Sequence, residues 1–127
     1  MRMNVSDYEL QELSREDFPS SLLEIPEPPK KLYLKGTLPN HHEYYYLAIV
    51  GSRKYTSYGR EALERIVAGL RGYPIIIVSG LALGIDGIAH RVALDNNIPT
   101  IAIPGSGLND RVLYPRTHVS LAHEIVK

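Results

Sequence analysis

The stretch Tyr45-Tyr46-Leu47-Ala48-Ile49-Val50-Gly51-Ser52-Arg53 decides the fold of this chain. An unbroken apolar run that ends in glycine is typical of a strand buried on both faces of a parallel sheet. From Tyr58 to Leu70, apolar side chains recur at three- and four-residue spacing. This periodicity predicts an amphipathic helix packed against the preceding strand.

The same alternation continues along the chain. Ile75 to Val78 reads as a second buried strand, Asp86 to Asp95 as a second helix, and Thr100 to Ile103 as a third strand. Strands that alternate with helices through short turns form a parallel sheet with right-handed crossovers. We therefore predict an α/β fold, a three-layer Rossmann-like parallel sheet that is partial, with about three to four strands.

The sequence predicts that the chain divides into two segments of different structure. Residues 1–43 are predicted to hold a helix over 6–16, a Pro-rich extended lead-in and a short strand from Lys31 to Lys35. Residues 44–127 are predicted to form the Rossmann-like half-domain. Because three strands make a thin parallel sheet, we expect this half-domain to be truncated at its C-terminal end.

Composition narrows the function classes. The chain has 127 residues, 44% of them apolar, and no cysteine, so disulfides and thiolate metal sites are excluded. With no signal peptide and no long apolar run, we expect a cytoplasmic chain without a membrane partner. Residues 1–27 carry seven acidic and two basic side chains, a net charge of −5, and the neutral total leaves +5 on the rest. The basic remainder either suits a polyanion or is an ordinary solvated surface.

The first predicted ligand loop is Gly51-Ser52-Arg53-Lys54. In open parallel sheets, ligands bind beyond the carboxyl ends of the strands, where this loop lies. Glycine lets the backbone approach an anion, the following helix attracts negative charge, and arginine grips phosphate with two parallel bonds. We interpret the loop as a phosphate site; the alternative is a tight turn with an exposed arginine. Neither a G-x-G-x-x-G fingerprint nor a P-loop ending is present.

Two further loops are expected at the same edge. Gly80 and Gly84 are predicted to expose backbone amides. Asp86 either caps the next helix, orients the loop or contacts a base or sugar. His90 is interpreted as a packed, hydrogen-bonded residue. In the third loop, Tyr114 either stacks on a base or packs back onto the sheet, and either Arg111 or Arg116 is expected to meet a phosphate.

No catalytic set emerges, so we do not predict an enzyme. Cysteine nucleophiles, G-x-S-x-G and H-E-x-x-H are all absent from the sequence. The adjacent pair His41-His42 has no obvious further ligands around it, so no metal or other cofactor is expected.

Several segments, taken in order, resemble the DprA/Smf family, the DNA-processing protein A family. They run from about residue 17 to residue 121 and include Phe18-Pro19, Ala48-Ile49-Val50-Gly51-Ser52-Arg53, Ser79-Gly80-Leu81-Ala82, Gly84-Ile85-Asp86, Ala89-His90, Gly105-Ser106-Gly107-Leu108 and Tyr114-Pro115. The resemblance implies a non-enzymatic Rossmann-like domain that binds single-stranded DNA, forms a homodimer and helps to load a RecA-type recombinase during natural transformation. It carries the family's DNA-contacting serine and arginine onto Ser52 and Arg53, and suggests Arg116 as a further contact.

The chain also departs from the family pattern. Leu83 stands where an arginine is common, His118 where an asparagine is common, and Asn109-Asp110 resembles a small insertion. The resemblance covers the first half of the family's domain, and we expect the second half to be missing from the chain. Two other functions therefore stay open: a nucleotide-binding enzyme of the related lysine-decarboxylase-like or phosphoribohydrolase group, and a half-domain that pairs with a partner or with itself.

Overall fold

The computed structural model describes residues 5–39 and 42–127. Its strands are β1 Gln11–Leu13, β2 Leu32–Leu34, β3 Tyr45–Ala48, β4 Ile75–Ser79 and β5 Thr100–Ala102. Its α-helices are α1 Ser20–Leu23, α2 Ser57–Gly69, α3 Ile85–Asp95 and α4 Val119–Ile125. Short 3-10 turns cover Val5–Asp7, Arg15–Asp17 and Arg116–His118.

The centre of the molecule is a parallel sheet of three strands in the order β3-β4-β5. Tyr46 pairs with Ile76, and Val78 pairs with Ile101. The crossovers run through α2 and α3, as the strand–helix alternation predicts. The α/β fold class with a partial Rossmann-like sheet is therefore confirmed.

Both faces of the middle strand are covered. Ile77 belongs to a core cluster with Val67 of α2 and Ala89 of α3, which pack on one side of the sheet. Its neighbour Ile76 points to the opposite face and is also fully buried. Burial on both faces accounts for the continuous apolar run of β4.

The two long helices begin at different kinds of cap. Thr56 caps α2 with its side chain, which accepts a hydrogen bond from the Gly59 N–H at 3.0 Å. The residue before α3 is Gly84, at φ +80°, a conformation that glycine adopts without steric cost. The prediction of Asp86 as the N-cap of this helix is therefore wrong: Asp86 is the second residue of α3, and its carboxylate has other partners.

The first strand is not buried on both faces, contrary to prediction. β3 pairs with β4 alone and forms an edge of the sheet. Tyr45 and Val50, at the two ends of the apolar run, are 75% and 76% exposed. Apolar composition marks a strand that is suited to burial, but burial also requires a neighbour, and the described residues place none beside this edge.

The N-terminal segment also differs from prediction. Instead of a helix over 6–16, it forms β1, which pairs antiparallel with the predicted strand β2, with Glu12 opposite Tyr33. Pairing with a strand twenty residues away overrides the local helical periodicity. Val5 is buried in a second core cluster with Leu81 and Leu121. The division at residue 43 stays a prediction.

Among the described residues, none of the helices combines the length and apolar character that a membrane crossing requires.

Candidate nucleic-acid interface

The loops after β3 and β4 are in direct contact at the carboxyl edge of the sheet. The Ile85 N–H donates to the Ser52 carbonyl at 3.2 Å. A Cβ added to Gly51 would lie 2.7 Å from the Ile85 side chain, and one added to Gly84 would lie 2.6 Å from the Arg53 carbonyl oxygen. The two glycines are therefore the contact surfaces that let the loops pack together.

Asp86 joins the same two loops through its carboxylate. Oδ1 accepts a hydrogen bond from the Gly51 N–H at 3.2 Å, and Oδ2 accepts one from the Gly80 N–H at 3.1 Å. The residue is only 7% exposed. The expectation that Gly51 and Gly80 offer free amides to a phosphate is therefore wrong, because a protein carboxylate already holds both.

The start of α3 is likewise occupied by backbone carbonyls. Besides the Ile85 bond to Ser52, the Gly87 N–H donates to the Ala82 carbonyl at 3.0 Å and the Ile88 N–H to the Gly84 carbonyl at 3.1 Å. Gly84 therefore shapes the turn, and the amides of Ile85, Gly87 and Ile88 that follow it are not open to an anion. Exposure of the Gly84 amide to a ligand stays a prediction.

Side chains suited to holding an anion at this edge lie on the first loop. Ser52, Arg53 and Lys54 are all exposed. The Lys54 N–H donates to Ser52 Oγ at 3.0 Å, which leaves the serine hydroxyl hydrogen available for a ligand acceptor. A hydroxyl donor and two cations follow one another directly, an arrangement suited to a phosphate backbone.

Two tyrosines extend this loop, and the sequence interpretation did not single them out as ligands. Tyr55 is 43% exposed and Tyr58, in the first turn of α2, is 81% exposed. The signal was present as aromatic residues interleaved with basic ones, which is typical of single-strand binding surfaces. We call residues 51–58, which are all exposed, the basic–aromatic loop.

The third loop presents Tyr114 and Arg116 on its surface. Leu113 and Pro115 are buried and anchor the loop, whereas Tyr114 is 54% exposed and does not pack back onto the sheet. Its backbone N–H donates to Ser106 Oγ at 2.9 Å. Arg116 is exposed at the start of the following 3-10 turn.

Two histidines form hydrogen bonds with the backbone of Leu81 in the second loop. The Leu81 N–H donates to His90 Nε2 at 3.2 Å, and His118 Nδ1 donates to the Leu81 carbonyl at 2.8 Å. Leu81 has φ +59°, an unusual conformation for a residue with a side chain, and these two bonds together with its burial hold it there. Burial lowers the pKa of His90 to about 4, against the opposing effect of the nearby Asp86 charge. His90 is thus a neutral structural residue with no path to a ligand.

No group of three or more histidine or acidic side chains within residues 5–39 and 42–127 is arranged to hold a metal ion. His41, one member of the adjacent histidine pair, lies outside the described residues.

Comparison with known proteins shows which sequences this chain is similar to. Residues 10–127 match the family model of DNA recombination-mediator protein A. The chain is 38% identical over 112 residues to Protein Smf of Escherichia coli K12, and 40% identical over 104 residues to DNA processing protein DprA of Streptococcus pneumoniae. These alignments cover 88% and 82% of this chain but 29% and 36% of the relatives. The chain thus spans about a third of the relatives it matches.

Two solved structures share the fold. The X-ray structure of the Streptococcus pneumoniae protein superposes with a TM-score of 0.77 at 37% identity, over 89% of this chain and 39% of the other. DNA processing protein A of Helicobacter pylori, studied for its single-stranded DNA binding mode, superposes with a TM-score of 0.81 at 30% identity. That match covers 98% of this chain and 54% of the other.

Proposed function

We propose that this chain, which belongs to the DNA recombination-mediator protein A family, binds single-stranded DNA through its basic–aromatic loop. The observation that carries the proposal is the uninterrupted exposure of residues 51–58, which present Arg53, Lys54, Tyr55 and Tyr58 on one short segment. The Helicobacter pylori relative was studied for single-stranded DNA binding, and this supports the assignment.

Arg53 is proposed as the main phosphate contact. Its guanidinium can bind two phosphate oxygens at once, and Ser52 beside it donates its hydroxyl hydrogen. Lys54 adds a second cation, and Arg116 on the third loop a third. The net charge of +5 on residues 28–127 attracts the strand to this part of the molecule.

The tyrosines are proposed to stack on bases. Every base has a flat aromatic face, so stacking on Tyr55 or Tyr58 tolerates any sequence. Cations for the backbone and aromatic rings for the bases together favour a single strand, because the bases of a duplex are already stacked on each other. Tyr114, on the loop after β5, is a further stacking candidate.

The direct test is fluorescence anisotropy of a labelled (dT)20 strand at low salt, with the wild type and Arg53→Ala. Arg71→Ala is the matched control: it removes the same charge, but Arg71 follows α2 at the opposite end of the sheet. We expect Arg53→Ala to weaken binding about tenfold, the effect of losing one charged hydrogen-bonded contact. Equal affinities for the Arg53 and Arg71 variants, or no binding by the wild type, would refute the proposal.

The exposed edge of β3 supports a second candidate, assembly with another protein chain. Tyr45 and Leu47 on β3 and Val50 just after it are exposed apolar residues. Among the described residues, only one edge of β3 is paired, and the other is a site for strand addition. We propose that this edge supports the homodimer that the family resemblance implies. Light scattering should show dimers that Val50→Lys converts to monomers; a monomeric wild type would exclude this candidate.

Loading of a RecA-type recombinase onto the bound strand, as in natural transformation, completes the proposal. Because the chain spans about a third of its curated relatives, this activity is best tested by adding purified recombinase to the strand complex. Faster filament formation on strands coated with the chain is the expected result, and an unchanged rate would argue against it.

The nucleotide-hydrolase alternative has less support. It requires the strand-to-helix turns to cradle a nucleotide phosphate, whereas Asp86 already binds the Gly51 and Gly80 amides. We propose a binding protein without catalytic activity and without a cofactor; release of a nucleobase from a nucleoside monophosphate would contradict this.

A further inference from the structure

The carboxylate of Asp86 lies where a strand–glycine–helix turn usually places a bound phosphate. In such turns the backbone N–H groups point at the anion, and the positive end of the helix dipole favours its charge. Here Asp86 satisfies both requirements from within the chain, with one oxygen on the Gly51 N–H and the other on the Gly80 N–H.

The packing around Asp86 keeps it in this position. A Cβ on Gly80 would lie 2.9 Å from Oδ2, so the carboxylate touches the loop backbone directly. A Cβ on Gly51 would meet Ile85, the residue before Asp86. Since Asp86 is nearly buried and both oxygens are bonded, a ligand cannot displace it without opening two loops at once.

We propose that Asp86 is an internal anion that makes this site select the phosphodiesters of a polynucleotide over the terminal phosphate of a mononucleotide. This inference rests on the proposed function and adds a specificity-determining residue to it. The ligand of this site is an internal stretch of single strand, bound from outside the turn.

The selectivity follows from charge and from the number of contacts. A terminal phosphate carries up to two negative charges, needs several donors, and is repelled by a fixed carboxylate at the turn. A phosphodiester carries one charge, and successive phosphates reach Arg53 and Lys54 while the bases stack on Tyr55 and Tyr58. A mononucleotide gains one such contact and meets the repulsion without compensation.

The experiment compares two ligands on three proteins. The ligands are a labelled (dT)20 that lacks a terminal phosphate and unlabelled thymidine 5′-monophosphate. The proteins are the wild type, Asp86→Asn and Asp95→Asn; the last removes the same charge from the exposed end of the same helix. Removing a like charge near an anion should strengthen monophosphate binding by Asp86→Asn about tenfold or more, and Asp95→Asn should match the wild type.

A measurement on the wild type alone guards against a misfolded Asp86 variant. The amide signals of Gly51 and Gly80 in a ¹⁵N–¹H NMR spectrum are followed while inorganic phosphate is added. We expect both signals to stay unmoved, because Asp86 already holds these amides. Saturable shifts of both signals would overturn the inference, as would equal monophosphate affinity in a folded Asp86→Asn and the wild type.

The two proposals fail in different ways. Absence of (dT)20 binding by the wild type would refute the DNA-binding function, whatever Asp86 does. Strong (dT)20 binding accompanied by phosphate shifts at Gly51 and Gly80 would keep that function and refute the role of Asp86.

Discussion

His90 accepts a hydrogen bond from the backbone N–H of Leu81, with 3.2 Å between its Nε2 and the amide nitrogen. Nε2 must therefore be unprotonated, and Nδ1 donates to Thr100 Oγ1 at 2.7 Å. The Thr100 hydroxyl donates a hydrogen bond to the Ile77 carbonyl at 2.9 Å. This chain of bonds joins the second loop to β5 and β4 and requires a neutral imidazole.

The first prediction concerns stability and pH. Burial lowers the pKa of His90 to about 4 in the folded chain, from 6.5 for a free side chain. Above pH 6.5 both states hold it neutral, and stability is unaffected. As pH falls from there toward 4, the unfolded chain takes up the proton first, so stability falls by up to about 3 kcal/mol.

Urea unfolding at a series of pH values checks this loss. His90→Gln cannot titrate at this position, so the stability of this variant should change less over the same pH interval. Parallel slopes for wild type and His90→Gln would show that other groups cause the acid loss.

The second prediction concerns the contact between the two glycine loops. Gly84 has φ +80°, and a Cβ there would lie 2.6 Å from the Arg53 carbonyl oxygen and 2.7 Å from Arg53 Cα. Gly84→Ala should therefore destabilise the fold by about 2 kcal/mol through backbone strain and should displace the first loop. Both its unfolding midpoint and its (dT)20 affinity should fall.

Gly69→Ala is the control for that substitution. Gly69 ends α2 with nothing within 4 Å of an added Cβ, and its φ is not in the left-handed region. Alanine there should stabilise the chain by about 0.5–1 kcal/mol and leave DNA affinity unchanged. If Gly84→Ala also proved neutral, the loops would not be in the close contact described.

The central sheet and its helices were predictable because their signals are local. Continuous apolar runs mark β4 and β5, and the helical spacing from Tyr58 to Leu70 gives α2 to within one residue at each end. These patterns depend on chain neighbours alone, so sequence suffices to place them.

The features that the sequence did not predict depend on contacts between residues far apart along the chain. Asp86 and Gly51 are 35 residues apart, and no local pattern shows that the carboxylate reaches back to that amide. β1 forms because β2 is available to pair with it. β3 is exposed because only one of its edges has a neighbouring strand among the described residues. Its apolar composition does not show whether a second neighbour is present.

The third prediction separates stacking from charge. Tyr58 is 81% exposed beside Arg53 and Lys54 on the basic–aromatic loop. Tyr58→Ala should weaken (dT)20 binding by about 1–3 kcal/mol, the usual value of one stacked base, and should do so equally at low and high salt. Tyr73→Ala removes a similarly exposed ring just before β4, at the far end of the sheet, and should have no effect. A loss that disappeared at high salt would assign Tyr58 an electrostatic and not a stacking role.

The salt dependence of DNA binding reports the number of phosphate contacts. Each contact with a single strand releases counterions and adds about 0.7 to the slope of log affinity against log salt. Arg53→Ala should therefore lower the slope by about 0.7, and Arg53→Ala combined with Lys54→Ala by about 1.4. Arg116→Ala should subtract a similar step if the strand continues from the first loop to the third, and Arg71→Ala should leave the slope unchanged. If Arg53→Ala lowered affinity at every salt concentration without changing the slope, Arg53 would contact a base or another protein group and not the phosphate backbone.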